Sequence, residues 1–293
     1  MTDWQTLVDP AALATALGHA DLRIVDARFA PATVDDPDFG RRAYAQSHLP
    51  GAVYADLNRE LSDLSRTGLG RHPLPYDGDF AAAVGRWGIT PDSQVVVYDA
   101  ADGSMAAARL WWLLRLLGHR RVAVLDGGLA AWRAAGLAES TQPSAYPAAP
   151  PYPGKFDMTQ VADAEEIARR GGEAPGWLID VRSPERFAGQ SEPIDPVAGH
   201  VPGAINRPLP LSLSQGRFLP AGQLQADLLP RLGGRPAREV VLMCGSGVTA
   251  CHTLLAMESA GLHGARVYAG SWSGWISDPS RPIATGDVPS AAQ

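Results

Sequence analysis

Cysteine, basic charge and long apolar runs are all scarce in this chain. Only two of its 293 residues are cysteine, Cys244 and Cys251. Two thiols seven residues apart on one loop-helix stretch make no disulfide framework, and the sequence predicts a soluble protein of a reducing, cytoplasmic compartment. The formal net charge is −6, so no basic surface invites nucleic acid or anionic lipid. The opening run Met1-Thr2-Asp3-Trp4-Gln5 has neither a basic n-region nor an apolar h-region, and predicts no secretory signal. No uninterrupted apolar run approaches the length of a membrane span. No His and Cys set has zinc-ligand spacing, and nothing in the sequence calls for a metal or an organic cofactor.

What is present centres on one stretch. Val240-Val241-Leu242-Met243 stop abruptly at Cys244, Gly245-Ser246-Gly247-Val248-Thr249 follow, and Ala250-Cys251-His252-Thr253-Leu254-Leu255-Ala256-Met257 reads as a helix. The pattern predicts a buried strand, a tight loop opened by cysteine, and a helix leaving straight from the loop. Glycines let such a loop turn tightly and let successive amides face inward as an anion-binding nest. The helix start adds its positive end. Both favour an anionic sulfur at Cys244, the form that acts as a nucleophile. Cys251, two helical turns on, reads as buried packing rather than a resolving thiol, and His252 as a first-turn helix residue.

Length allows two average domains, and the sequence repeats itself in order. Arg23-Ile24-Val25-Asp26-Ala27-Arg28 returns as Trp177-Leu178-Ile179-Asp180-Val181-Arg182, and His48-Leu49-Pro50-Gly51-Ala52 as His200-Val201-Pro202-Gly203-Ala204. Gln94-Val95-Val96-Val97-Tyr98-Asp99 returns as Glu239-Val240-Val241-Leu242-Met243-Cys244, and Gly127-Gly128-Leu129-Ala130-Ala131-Trp132 as Gly270-Ser271-Trp272-Ser273-Gly274-Trp275. This is a duplication of one domain, since solenoid repeats are far shorter. Alternating short apolar strands and helices predict α/β layers around a mostly parallel sheet in each copy. Asp9-Pro10 reads as a helix start, Asn58 to Tyr76 as a long loop, and the Pro-, Ala- and Ser-rich stretch 137–156 as an extended, semi-rigid linker. The expected boundaries are 1–136 for the first domain and 157–293 for the second.

The ordered set, taken twice over, resembles the rhodanese family of tandem-domain thiosulfate and 3-mercaptopyruvate sulfurtransferases. That resemblance implies two rhodanese-like domains, the second active and the first inactive. Asp99 stands at the first copy's cysteine position, and a carboxylate cannot store sulfane sulfur. It implies Cys244 as the catalytic residue and Gly245, Ser246, Gly247, Val248, Thr249 and Ala250 as the persulfide-binding loop. Arg186 would bind the donor's anionic end. His72, Asp180, Arg182 and Trp272 are accessory candidates. Asp180 and Arg182 would brace the loop from behind, His48 and His200 would fix their turns, and Trp272 and Trp275 would be core or cleft wall. The neutral residues after Cys244 tilt toward a mercapto-acid donor, whereas Glu192-Pro193-Ile194-Asp195-Pro196-Val197 holds no second carboxylate-binding arginine, so both donors stand. His72 matches the histidine that mercaptopyruvate members pair with the loop serine, while Asn58 falls where an acidic partner would lie.

The implied chemistry is sulfur transfer from a small donor through a Cys244 persulfide to cyanide, a thiol or a thioredoxin-like dithiol, in two covalent steps. Two rivals are weighed against it. A cysteine phosphatase needs an arginine after five loop residues, where this chain has Ala250. A non-catalytic binding or regulatory module would not need the cysteine and the glycines together.

Overall fold

The computed structural model describes residues 3–30 and 36–286. Met1 and Thr2, part of the run read for a leader, lie outside the described residues, as do the last seven residues of the second domain. The chain forms two compact units: Met1–Asp63, Leu74–Asp157 and Gln215–Phe218 make the first, and Leu64–Pro73, Met158–Ser214 and Leu219–Gln293 the second.

In the first unit, strands β1 (Leu7–Val8), β2 (Leu22–Asp26), β3 (Ala52–Tyr54), β4 (Gln94–Tyr98) and β5 (Val122–Leu125) form one sheet in the order β1-β5-β4-β2-β3. Every pairing is parallel. Helices α1 (Pro10–Ala16), α2 (Phe39–Gln46), α3 (Asp77–Arg86), α4 (Ala107–Leu116) and α5 (Gly128–Ala134) connect them. The strands are short β-branched runs because parallel sheets are covered on both faces. Val95, Val96 and Val97 are accordingly fully buried. Asp9 caps α1, accepting the Ala11 N–H at 2.8 Å, with Pro10 at the first helical position. Helix α4 is apolar nearly all round, as a helix sunk in a core must be, and only Arg115 among its residues is not buried.

The second unit repeats the layout. Strands β6 (Val161–Ala162), β7 (Leu178–Asp180), β8 (Ile205–Asn206), β11 (Val241–Met243) and β12 (Arg266–Tyr268) pair in the order β6-β12-β11-β7-β8, again all parallel. A further strand, β9 (Leu213–Ser214), is only two residues long, as is β10 (Arg217–Phe218), whose residues belong to the first unit. Helices α6 (Ala164–Arg170), α7 (Pro184–Phe187), α8 (Ala221–Arg231), α9 (Ala250–Ser259) and α10 (Ser271–Trp275) complete it. Trp177, Trp272 and Trp275 anchor its core.

Three elements differ from the sequence expectation. Helices α6 and α8 were not expected, although Asp163 caps α6 by accepting the Glu166 N–H. The stretch read as a linker packs along the first unit instead of spanning free. Ala149 N–H donates to the Gly85 carbonyl and Tyr152 N–H to that of Ala81, while the Tyr152 hydroxyl meets His119 Nδ1 at 3.0 Å. Backbone bonds replace the solvation that would keep an extended proline-rich segment loose.

Candidate active site

Register places the cysteine. Met243 pairs with Asp180, so Cys244 and Val181 are the first residues beyond the carboxyl ends of β11 and β7. Ligands of open α/β sheets bind at these ends. Cys244 is buried, 1% exposed, and its sulfur accepts the Gly247 N–H at 3.2 Å. Gly247 has φ +76, and a Cβ there would come within 2.2 Å of the Ala269 carbonyl oxygen, so only glycine fits. The loop runs into α9 through Thr249, which makes no side-chain cap. The backbone N–H groups of Gly245, Ser246 and Val248 make no hydrogen bond among the described residues. Amides left open beside a sulfur at a helix start form an anion receptor.

The segment before α10 holds the loop from the other side. Trp272 N–H donates to the Cys244 carbonyl and Ser273 N–H to that of Gly245, both at 2.9 Å. Ser271 Oγ accepts the Cys244 N–H at 3.0 Å and donates to the Tyr268 carbonyl at 2.9 Å. To do so Ser271 adopts φ +50, a left-handed conformation rare outside glycine. Cys251 is buried, its thiol directed at the Gly247 carbonyl at 3.4 Å.

Asp180 and Arg182 sit directly behind. Arg182 Nε and Nη2 donate to both Asp180 oxygens, at 2.9 and 2.6 Å for Oδ2, and Nη2 also donates to the Gly199 carbonyl at 2.7 Å. The guanidinium lies 4.7 Å from the Trp272 ring centroid, and Trp272 Nε1 donates to the Val197 carbonyl. These residues tie the ends of β7, the His200 turn and α10 together. His200 stacks on Phe187 with centroids 3.8 Å apart and donates to its carbonyl. Burial, partly offset by that carbonyl and by Asp180, lowers its pKa.

Two guanidiniums reach the loop. Arg186, at the end of α7, donates from Nε and Nη2 to Glu192 and from Nη2 to Asp195 at 3.1 Å. Arg71 Nη1 donates to the other Asp195 oxygen. A Cβ on Gly245 would lie 2.9 Å from Arg71 Nη2 and 3.5 Å from both terminal nitrogens of Arg186. His72 Nδ1 lies 2.9 Å from Ser246 Oγ. Chain order alone would put Arg71 and His72 with the first copy, but Leu64–Pro73 belongs to the second unit. Arg71 N–H donates to Ser273 Oγ, and Ser277 Oγ donates to the Gly68 carbonyl. Burial raises the pKa of the Glu192 carboxyl, but the Arg186 hydrogen bonds, the Asp195 and Ile194 amides and the Arg186 charge outweigh it and leave it lowered.

The rhodanese-like domain model matches residues 9–135 and again 162–278. The chain belongs to the rhodanese-like family. It is a tandem-domain sulfurtransferase of α/β fold. The chain is 49% identical over 282 residues to a probable 3-mercaptopyruvate sulfurtransferase of Pseudomonas aeruginosa, covering 94% of this chain and 96% of that one. It is 42% identical over 293 residues to a putative thiosulfate sulfurtransferase of Mycobacterium tuberculosis, with 96% and 98% covered. Among solved structures, a 3-mercaptopyruvate sulfurtransferase from Leishmania major superposes with a TM-score of 0.79 at 32% identity, over 92% of this chain and 73% of that one.

The first rhodanese domain shows what its own strand end holds. Asp99 is buried, and its carboxylate accepts the amides of Ala101, Gly103, Met105 and Ala107. A side-chain carboxylate thus fills the nest that surrounds a sulfur in the second. Burial and the nearby Asp102 raise its pKa against the pull of those amides. Arg28 grips Asp26 and the Ser47 carbonyl as Arg182 grips Asp180 and Gly199. Sequence reasoning missed Arg71, Asp195, Glu192 and Ser271. Only Ser271 carried a signal, as the one polar residue where the first copy has Gly128. Among the described residues no helix is long and apolar enough to cross a membrane. Among them, too, no group of three or more His, Cys, Asp or Glu side chains could hold a metal.

Proposed function

We propose that this rhodanese-like protein moves sulfane sulfur through a persulfide on Cys244, with 3-mercaptopyruvate as the preferred donor. The observation that carries the reading is the sulfur of Cys244 facing the Gly247 amide at a helix start. The thiolate attacks the donor sulfur, forming an S–S bond as the S–CH2 bond breaks. The electron pair stays on the departing carbon as the enolate of pyruvate. The proton from the donor thiol, now on the persulfide, returns to that carbon and gives pyruvate. The persulfide anion is stabilised by the amides of Gly245 to Ala250. A second nucleophile, either cyanide, a small thiol or a thioredoxin-like dithiol, then takes the terminal sulfur and restores the thiolate.

Arg186 binds the donor carboxylate through charge-assisted hydrogen bonds. His72 and Ser246, 2.9 Å apart, stand ready to pass a proton to or from the donor's carbonyl side. The neutral loop residues favour this donor over thiosulfate, as does the likeness to a probable 3-mercaptopyruvate sulfurtransferase. Two free cysteines fit a reducing cytoplasm. The first domain, with Asp99 in its nest, acts as supporting structure.

The test is mass spectrometry after exposure to 3-mercaptopyruvate and, separately, thiosulfate. A one-sulfur gain (~32 Da) on wild-type protein that vanishes in Cys244→Ser is expected. Full sulfur transfer by Cys244→Ser would end the reading.

A further inference from the structure

Asp195 bridges Arg71 and Arg186, one oxygen to each. Each guanidinium keeps a terminal nitrogen without a partner among the described residues, Nη2 on Arg71 and Nη1 on Arg186. Both of those nitrogens are turned toward Gly245, one residue from Cys244. Donor capacity left over from two ion pairs therefore converges on a single point beside the sulfur. Planar N–H forks aimed at one point suit a carboxylate. The absence of a Cβ at Gly245 leaves the room.

We propose that Arg71 and Arg186 together form the receptor for the donor's anionic end, and that Asp195 tunes this receptor to a monoanion in preference to a dianion. The inference rests on the reading of Cys244 as the sulfur carrier. Arg71 is a specificity residue that the run 192–197 gave no hint of, because it arrives from the distant segment 64–73. The charge count supports the selection. Three guanidiniums, Arg71, Arg186 and Arg182, which reaches Glu192 at 3.4 Å, face three carboxylates, Glu192 and Asp195, each with a side chain 3% exposed, and Asp180 behind them. The cluster therefore sums to zero. A mercapto-acid brings one negative charge to that neutral group and finds open N–H donors. Thiosulfate brings two charges, close to the Asp195 carboxylate, with no net cation to balance them.

Steady-state kinetics of both donors in three variants tests this. Arg71→Ala should raise KM for 3-mercaptopyruvate roughly 10- to 100-fold, the effect of losing one or two charge-assisted hydrogen bonds. Its kcat should stay within about 3-fold, because the contact binds ground and transition states alike. Sulfur already loaded on Cys244 should leave to cyanide at the wild-type rate. Arg71→Met, which keeps the aliphatic stem, should give the same KM change if the alanine variant folds poorly. Asp195→Asn leaves the cluster one charge positive and should raise kcat/KM for thiosulfate relative to 3-mercaptopyruvate roughly tenfold. A wild-type KM in a folded Arg71→Ala or Arg71→Met protein overturns the receptor. An unchanged or lowered donor ratio in Asp195→Asn overturns the charge selection. Failure of the Cys244 reading is seen separately, as a missing sulfur adduct on the wild-type protein.

Discussion

Gly247 donates its N–H to the sulfur of Cys244 three residues earlier, at 3.2 Å, and only a residue without Cβ can hold that position. Two independent obstacles meet any side chain there: a left-handed φ of +76 and a carbonyl oxygen 2.2 Å from the added carbon. The obstacle is backbone and cannot rotate away, so the loop itself must move.

Gly247→Ala should therefore cost more stability than the 1 kcal/mol or so typical of a left-handed Gly→Ala exchange. It should also lower the rate of persulfide formation by about 100-fold, the scale for losing one donor aimed at developing charge. Rapid-quench mass analysis of the Cys244 peptide gives the rate. Loading at the wild-type rate would mean the loop tolerates the shift and the amide is not needed.

Behind the loop, Asp180 and Arg182 are a buried pair with side chains at most 1% exposed. Arg182→Met removes the positive partner and leaves a carboxylate buried against it. Such a break costs about 3–5 kcal/mol. Asp26 and Arg28 repeat the geometry, so Arg28→Met should cost a similar amount. Denaturant midpoints of the two variants measure both losses. A near-neutral Arg182→Met would show that water reaches Asp180.

Much of this architecture was legible because its signals are local. An arginine two residues past an aspartate can fold back on it whatever the rest of the chain does, and the pair recurs 154 residues later. The His-x-Pro-Gly-Ala turns, the β-branched strands and the Cys244 loop are likewise short-range constructions. What escaped was the long-range part. Leu64–Pro73 follows the first sheet's β3 in sequence yet packs on α10 through Ser273 and on the turn after it through Ser277, and no periodicity records that. Helix α8 also escaped, with Pro230 inside it. A proline in the last turn is tolerated there but masks the helical pattern.

Stability should fall on acidification through one identifiable group in the first domain. Burial pushes the His119 imidazole down to about 4 from 6.5, with the Arg121 charge adding to it and carbonyls opposing. A folded pKa below the unfolded one means that the unfolded chain binds more protons between those values. The stability is thus fully present above pH 6.5, declines as pH falls, and stops changing below about pH 4. The full shift corresponds to about 3 kcal/mol. His119→Gln cannot titrate, so between pH 7.5 and pH 5 wild type should lose about 2 kcal/mol more than the variant. Urea unfolding at both pH values decides it, and parallel losses would refute the assignment.

Ser271 separates backbone strain from hydrogen bonding. In the first domain Gly128 takes the equivalent place with φ +53, so the fold needs a left-handed residue there and glycine is its least strained choice. The second domain accepts the cost of a serine, and gains an oxygen that receives the Cys244 N–H and donates to the Tyr268 carbonyl. Ser271→Gly removes the strain and both hydrogen bonds, whereas Ser271→Ala keeps the strain and loses the bonds. The alanine variant should therefore be less stable than the glycine variant by about 1 kcal/mol. Both should load sulfur more slowly than wild type and to a similar degree, because the Cys244 backbone loses the same anchor in each. Denaturant midpoints give the first comparison and the pre-steady-state burst of pyruvate the second. If the glycine variant loads at the wild-type rate while alanine does not, the backbone angle alone positions Cys244 and the hydroxyl is dispensable.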